Sequence, residues 1–296
     1  MSRPYALVTV AYNETSRLVP AIDSVLRQTH IPLRWIIVSD GSTDGTDEII
    51  KAYSRRYEFI QYGRQEKRKE DAGRLEKVTI AQARAMELAR TRLEDIPYEF
   101  LGNLDADITL VPEYYEKVIA KLEEDPSLGI AGGGVFSMNA DGSLMGGGFI
   151  KPEFVGGPVQ LFRRQCLEDI GGYAPYGHAD SVAVAKAQMK GWKVRCFPDI
   201  LAFHHELPRT TIREKVPDCY RMGQMDYIMG ALLVFEMARC LMRVLKRPYG
   251  IAGASMFVGY AGTFISGRKK TVPKDIRKYM QKGQLRKMML TLNPKK

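Results

Sequence analysis

The first hundred residues alternate between short apolar runs and segments with helical periodicity. The runs are YALVTVA at 5–11, RWIIVSD at 34–40, FIQYG at 59–63 and EFLGNL at 99–104. Between the first two runs, Leu18, Ile22 and Val25 recur at helical spacing. Strands that alternate with helices predict an α/β fold, in which a mostly parallel sheet is covered by helices on both faces.

Polar residues stand where several of these strands end. Asn13, Asp40 and Asp105 each close an apolar run. The carboxyl ends of parallel strands meet at one edge of a sheet, and open α/β sheets bind ligands there. We therefore expect these three residues to lie near a ligand. The GSTDGT stretch that follows Asp40 has the composition of a turn that caps a helix.

The NLDAD stretch places two carboxylates, Asp105 and Asp107, one residue apart after a buried strand. Their repulsion costs free energy unless something positive lies between them. Mg²⁺ or Mn²⁺ would supply that charge, because Mg²⁺ prefers oxygen ligands and is usually held by one or two carboxylates plus substrate phosphates. We predict a cation that carries a diphosphate. The alternative interpretation is a solvated turn.

Two histidines, His204 and His205, follow another apolar stretch. A histidine at a strand end can complete a metal site or contact a phosphate. We predict this role for one of the pair and favour His205. The alternative is that one histidine is buried and hydrogen-bonded while the other is exposed.

The composition of the sequence changes after Pro126, where glycine becomes frequent. GIAGGGVF, GSLMGGGF and FVGGPVQLFRR are short, glycine-rich and strand-like, which predicts a mixed or antiparallel extension of the sheet. From about residue 207 the chain has a helical pattern. The predicted organisation is a catalytic domain at 1–206 and a helical, basic C-terminal region at 207–296.

Charge is distributed unevenly along the 296 residues. The net charge is +10, whereas the part from Met237 onward carries +14, with Asp275 as its single acid. An anionic partner is expected for this part, and a membrane surface is preferred to nucleic acid because regular aromatic interleaving is missing. A solvated basic end is the alternative.

Residues 249–266 carry no charge, and basic clusters flank them on both sides. Eighteen residues lie at the lower edge of the roughly 17–25 that span a bilayer. We predict helices that lie on or dip into the cytoplasmic leaflet. Helices packed on the catalytic domain and a true span are the alternatives. The four cysteines form no CxxC pair and the N-terminus has no signal-peptide pattern, so we expect a cytoplasmic protein, peripheral at the inner face of the cell membrane.

VTVAYNE, SDGSTDGT and NLDAD, in this order, resemble the family 2 glycosyltransferases with the GT-A fold. The GGPVQLFRRQCLEDIGGY segment is similar to the acceptor-side segment of that family, and HADSVAVAKAQMKGW to the segment that carries its catalytic base. The resemblance extends from about Pro4 to His205. It implies a Rossmann-like, mostly parallel sheet and an inverting transfer of sugar.

The resemblance also implies roles for individual residues. Asp40 would contact the nucleotide base, Asp107 would be the main ligand of Mg²⁺ or Mn²⁺, and Asp180 would be the general base. Donor-side positions are Ala11, Tyr12, Asn13, Glu14, Asp40, Ser42, Asp105 and Ala106; metal positions are Asp105, Asp107 and His205; acceptor-side positions are Gly157, Phe162, Arg163 and His178.

The sequence departs from the family pattern in three places. Ser39 stands where many relatives have a second acid, and Ala179 precedes Asp180 where they have an acidic pair. Gly191 replaces the arginine of the Gln-x-x-Arg-Trp signature of processive synthases. Asp180 would therefore act as the base alone, and extrusion of a polymer is not expected.

These features together predict an inverting hexosyltransferase of glycan or glycolipid biosynthesis. A nucleotide-diphosphate sugar would be its donor, and a hydroxyl or phosphate, including that of a lipid-linked acceptor, would receive the sugar. A non-catalytic nucleotide-sugar-binding protein with the same fold and a nucleotidyltransferase are the alternatives. The latter usually has a glycine-rich, basic strand-to-helix loop, which AYNETSRL does not resemble.

Overall fold

The computed structural model describes residues 3–66, 74–137, 152–205, 212–244 and 249–292. The chain divides into two compact units. The first comprises Met1–Pro175 and Ala179–Leu207, and the second comprises Tyr176–His178 and Pro208–Lys296. The stretch Tyr176–His178 joins the second unit, although the predicted division assigns it to the first. One physical reason is that the His178 main-chain N–H donates to Met229 Sδ at 3.2 Å.

The first unit alternates strands and helices along most of its length. Its elements are β1 Tyr5–Ala11, α1 Thr15–Leu26, β2 Arg34–Asp40, α2 Thr46–Arg56, β3 Ile60–Gln65, α3 Arg74–Arg92, β4 Phe100–Asn103, β5 Ile108–Leu110, α4 Tyr114–Glu124, β6 Leu128–Ser137, a short 3₁₀ turn Gly157–Val159, β7 Leu161–Arg163, α5 Arg164–Ile170, α6 Ala179–Met189 and β8 Lys193–His204.

The eight described strands form one mixed sheet in the order β3-β2-β1-β4-β7-β6-β8-β5. β1 pairs in parallel with β2 and β4, and β2 pairs in parallel with β3. β7 runs antiparallel to both β4 and β6, and β5 antiparallel to β8. This arrangement confirms the α/β class and the mixed extension after Pro126. GSLMGGGF lies outside the described residues.

The central strands are buried on both faces, which is why they read as continuous apolar runs rather than alternating ones. Trp35 on β2 is completely buried and is the largest such side chain. Its indole Nε1 donates to Thr9 Oγ1 on β1 at 3.0 Å, so its polar atom is satisfied inside the core. Packing of this kind fixes β1, β2 and β4 side by side, and their carboxyl ends lie at one edge.

The second unit contains four described helices: α7 Ile212–Met229, α8 Leu233–Val244, α9 Ile251–Ile265 and α10 Lys274–Leu292. α7 and α9 approach at the level of their backbones. A Cβ atom on Gly223 would lie 1.8 Å from the Met256 carbonyl oxygen, and one on Gly259 would lie 2.0 Å from that of Tyr220. Glycine is required at both positions. None of the described helices is long and apolar enough to cross a bilayer.

Candidate active site

The loops after β1 and β2 are tied together by Asn13. This residue has a φ of 54°, in the left-handed region that asparagine tolerates better than most residues. Its main-chain N–H donates to Ser42 Oγ at 3.2 Å, and its Oδ1 accepts from the Thr43 N–H at 2.9 Å. Ser42 Oγ in turn lies 3.4 Å from the Ala11 carbonyl. The contacts hold the ends of two parallel strands in one rigid turn.

Asp44 strengthens the same junction. Its Oδ1 accepts from the N–H and hydroxyl of Thr46, and its Oδ2 accepts from those of Thr15. Desolvation alone would raise its pKa, but these hydrogen bonds, with the Thr46 hydroxyl foremost, lower the pKa of Asp44 to about 2. The carboxylate therefore stays ionised at neutral pH and links the start of α1 to the start of α2.

The Asp40 carboxylate is fixed by a residue that the sequence patterns do not single out. Gln65, the last residue of β3, is buried. Its amide Nε2 donates to Asp40 Oδ1 at 2.9 Å and to the Ala81 carbonyl at 3.1 Å. The orientation of Asp40 at the edge of the sheet is thereby set by a neighbouring strand and by α3.

Asp105 and Asp107 follow β4 and are both half-buried, while Ala106 between them is buried. Burial, followed by the negative charge of Asp107, raises the pKa of Asp105 to about 7. For Asp107, burial is the largest single influence and acts to raise the pKa, but the hydrogen bond and charge of His204 and the charge of Arg17 together outweigh it, and the net shift is downward. Two neighbouring carboxyls thus have opposite pKa shifts, which is typical of functional sites.

The two histidines occupy different positions. His204 Nε2 lies 3.0 Å from Asp107 Oδ2. His205 Nε2 lies 2.7 Å from Thr109 Oγ1, and its main-chain N–H donates to the Asp107 carbonyl. The antiparallel register pairs His204 with Ile108, yet the imidazole of His204, and not that of His205, lies beside the Asp107 carboxylate. The sequence pattern favours His205 for the metal or phosphate contact, whereas the histidine beside the Asp107 carboxylate is His204.

Asp180 lies in the first turn of α6, and both of its oxygens accept hydrogen bonds from main-chain N–H groups. Oδ2 accepts from Gly157 at 3.2 Å, and Oδ1 accepts from Ser181 at 2.7 Å. A Cβ atom on Gly157 would lie 3.1 Å from Asp180 Cβ. The absence of a side chain at Gly157 lets the 3₁₀ turn approach and orient this carboxylate.

Asn103 connects Asp105 to Asp180. It is buried at the end of β4, and its Nδ2 donates to Asp105 Oδ1 at 3.1 Å and to the Gly157 carbonyl at 2.7 Å. Because the Gly157 N–H donates to Asp180, a continuous chain of hydrogen bonds joins the two carboxylates. The only signal for Asn103 in the sequence is an amide residue at the end of an apolar run, two positions before Asp105.

Gln160 holds the backbone around Asp180 through hydrogen bonds from the protein interior. It is completely buried, and its Nε2 donates to the Val155 carbonyl at 2.8 Å and to the Asp180 carbonyl at 3.4 Å. Its Oε1 accepts from the Tyr173 hydroxyl at 2.6 Å. This polar network fixes the backbone on which Asp180 stands.

Two of the predicted acceptor-side residues lie away from this cluster. Phe162 is completely buried and packs edge-on against Tyr173, so it belongs to the core. The Arg163 guanidinium donates to main-chain carbonyls at the end of α4 and the start of β6, where it secures the helix terminus. His178 belongs to the second unit. Among the predicted donor-side residues, Tyr12 is exposed.

The cluster is therefore a set of oriented carboxylates at the carboxyl edge of β1, β2 and β4. Within the described ranges, no group of three His, Cys, Asp or Glu side chains is arranged to hold a metal ion. The donor set nevertheless fits a hard cation, because Asp105 and Asp107 supply carboxylate oxygens under mutual repulsion.

The fold matches that of solved glycosyltransferases. The mannosyltransferase PcManGT from Pyrobaculum calidifontis, solved in complex with GDP-Man and Mn²⁺, is similar with a TM-score of 0.56 and 16% sequence identity. The match covers 100% of this chain and 89% of that chain. The fold is the GT-A fold of glycosyltransferases. The family model "Glycosyl transferase family 2" matches residues 6–143 of this chain.

Curated relatives share parts of this chain. Chondroitin synthase of Pasteurella multocida (strain Pm70) is 30% identical over 147 residues, which is 49% of this chain and 13% of that protein. Poly-beta-1,6-N-acetyl-D-glucosamine synthase of Staphylococcus aureus (strain COL) is 23% identical over 206 residues, which is 63% of this chain and 46% of that protein. The chain thus spans less than half the length of either relative.

Proposed function

We propose that the protein is an inverting glycosyltransferase that moves a sugar from a nucleotide-diphosphate donor to an acceptor hydroxyl or phosphate. The observation that carries this proposal is the hydrogen-bonded chain from Asp105 through Asn103 and Gly157 to Asp180. It joins a carboxylate suited to the donor side with one suited to the acceptor side. Inverting transfer requires both groups in one fixed geometry.

On the donor side, we assign the nucleotide to the loops after β1 and β2. Asp40, held by Gln65, would contact the nucleotide base, and the rigid turn of Asn13 and Ser42 would shape the pocket. Because the hydrogen bonds of this turn exist without a ligand, little conformational entropy would be lost on binding. PcManGT was solved with GDP-Man, which supports this class of donor.

We assign Mg²⁺ or Mn²⁺ to Asp107 and Asp105, with His204 as the nearest histidine. When bound, the cation would neutralise the charge that develops on the nucleotide diphosphate leaving group. The likeness to a structure that contains Mn²⁺ supports a divalent cation. In this assignment His204 orients Asp107, and His205 holds the strand end through Thr109.

Asp180 is the general base in this proposal. The acceptor hydroxyl is a poor nucleophile, and a positioned carboxylate that takes its proton typically contributes roughly 10²–10⁴-fold. Two main-chain N–H groups orient the Asp180 carboxylate in the first turn of α6. An oriented carboxylate is what proton abstraction requires.

The test is release of nucleoside diphosphate from a panel of UDP-, GDP- and dTDP-sugars, with Mn²⁺, Mg²⁺ or EDTA. We expect turnover with at least one donor and its loss in EDTA. The Asp107→Asn and Asp180→Asn variants should lose turnover, whereas Asp199→Asn, which changes an exposed carboxylate of the first unit, should keep it. Donor binding without turnover in any combination would refute the enzyme and favour a sugar-binding protein.

We further propose that the second unit binds the cytoplasmic face of the cell membrane. The favouring observation is the exposure of apolar side chains on α8 and α9, beside exposed basic residues. The apolar residues are Val234, Met237, Leu241, Val258 and Ile265, and the basic residues include Arg268 and Lys269. Val234, Met237 and Leu241 recur at helical spacing on one face of α8. A lipid-linked acceptor would be consistent with such binding.

Vesicle sedimentation tests this second proposal. Wild-type protein should sediment with phosphatidylglycerol vesicles and much less with phosphatidylcholine vesicles. The double variant Leu241→Glu, Ile265→Glu should lose binding, and Leu33→Glu, an exposed apolar residue of the first unit, should not. Equal sedimentation of the double variant and wild type would refute the proposal.

A further inference from the structure

Arg17 lies in the first turn of α1, at the edge of the sheet that carries the aspartates. Its Nε is 2.8 Å from Glu14 Oε2, and its Nη1 is 3.9 Å from Asp107 Oδ2. The side chain is 34% exposed. A guanidinium therefore stands beside the proposed cation ligand and is still accessible to an incoming molecule.

Main-chain N–H groups at the start of α1 already donate hydrogen bonds within the protein. Helix N-termini in α/β proteins commonly bind phosphate through main-chain N–H groups. Here the N–H groups of Asn13, Glu14 and Thr15 donate to Ser42, Thr46 and Asp44 of the neighbouring loop. The N–H groups of Arg17 and Leu18 are directed to the Glu14 carbonyl. A phosphate at this helix would therefore have to be bound largely by a side chain.

The site carries excess negative charge, which a cationic side chain would offset. The carboxylates of Asp105 and Asp107 lie one residue apart, the hydrogen bonds of Asn103 and Gly157 join Asp105 to Asp180, and a nucleotide diphosphate brings further negative charge. A single divalent cation shared between two aspartates and a diphosphate leaves excess negative charge. The planar guanidinium can donate two parallel hydrogen bonds to phosphate oxygens, which an ammonium group cannot do in the same geometry.

We propose that the Arg17 guanidinium binds the diphosphate of the donor nucleotide. This inference rests on the proposed function, since it requires a nucleotide-diphosphate donor. Without nucleotide, Glu14 and Asp107 hold the guanidinium at the edge of the site. With nucleotide bound, Arg17 contacts the phosphates and stabilises the departing diphosphate directly.

Calorimetric titration in saturating Mn²⁺ tests the assignment. The probes are UDP and GDP, each paired with its nucleoside. Arg17→Gln should weaken binding of the preferred diphosphate about 10- to 100-fold, as expected for loss of hydrogen bonds between charged groups, and leave nucleoside binding unchanged. Arg17→Lys should fall between Arg17→Gln and wild type. The control Arg27→Gln changes an exposed arginine at the other end of α1 and should match wild type.

A separate titration with Mn²⁺ alone identifies the cause of any loss. Removal of a positive charge near Asp107 should leave the Mn²⁺ affinity of Arg17→Gln equal to or above that of wild type. Equal affinity of Arg17→Gln and wild type for the diphosphate would overturn the assignment. So would a parallel loss of nucleoside or Mn²⁺ affinity. If wild-type protein binds neither of these diphosphates nor dTDP, the proposed function itself fails.

Discussion

Substitution of Gly157 by alanine is expected to impair the reaction without unfolding the protein. Gly157 packs against Asp180, and a Cβ atom there would lie 3.1 Å from Asp180 Cβ, 3.3 Å from Oδ2 and 3.4 Å from Cγ. Optimal contacts between carbon atoms are roughly 3.5–4.0 Å. The carboxylate must therefore move by a few tenths of an ångström, and its hydrogen bond from the Gly157 N–H weakens.

The size of the effect follows from that hydrogen bond. A hydrogen bond to a charged group contributes about 1.5–3 kcal/mol, which corresponds to about 10- to 100-fold in rate if the bond orients the base in the transition state. We expect kcat to fall by this factor, while the KM for the donor stays near the wild-type value. Gly157 does not have a positive φ, so alanine is allowed and the free energy of unfolding should change by less than about 1 kcal/mol.

The neighbouring glycine provides a matched control. A Cβ atom on Gly156 would lie 3.6 Å from Pro158 Cδ, which is an ordinary contact, and Gly156 has φ −65° and ψ 146°. Gly156→Ala should therefore behave as wild type. The assay is the initial rate of nucleoside diphosphate release, with thermal unfolding of each variant measured in parallel. A wild-type kcat for Gly157→Ala would refute Asp180 as an oriented base.

Three further outcomes are expected. Asp180→Asn should retain donor affinity by calorimetry and lose transfer, and an active variant would place the base elsewhere. Asn103→Ala should lower the free energy of unfolding by about 1–3 kcal/mol, because a buried carbonyl loses its donor, and should also lower kcat; unchanged values of both would remove its linking role. Burial, followed by the charge of Asp226, raises the pKa of Glu236 to about 7. The contribution of Glu236 to the free energy of unfolding of the second unit should therefore be fully present below the unfolded pKa of 4.5 and be lost as the pH rises through 7. Denaturant titrations across this range should show a flatter profile for Glu236→Gln, and an unchanged profile would contradict this cause.

Local sequence was sufficient to predict most strands and helices of the first unit and the strand-end polar residues, but not the short strand β5. Asn13, Asp40 and Asp105 were predicted near one edge because parallel strands place their carboxyl ends together, and β1, β2 and β4 do so. The residues that orient them were not predicted. Gln65 reaches Asp40 from β3, and Asn103 reaches Gly157 across 54 positions of sequence. Such contacts depend on strand order, which single-sequence patterns do not specify.

The histidine pair illustrates the same limit. Either histidine could face Asp107 when only the sequence is known, since adjacent side chains on a strand point to opposite faces. The structure places the His204 imidazole beside the carboxylate, although the register pairs His204 with Ile108, and sequence patterns do not specify this contact. In the same way, the short β7 turns Phe162 into the core and directs Arg163 to the end of α4.

The most direct test of the central claim is anomalous scattering from crystals grown with Mn²⁺ and the preferred nucleoside diphosphate. We predict a manganese peak beside the carboxylates of Asp105 and Asp107, with the diphosphate bound to the same ion and the base near Asp40. A manganese peak remote from these carboxylates, or a nucleotide bound away from the carboxyl edge of β1, β2 and β4, would contradict the account.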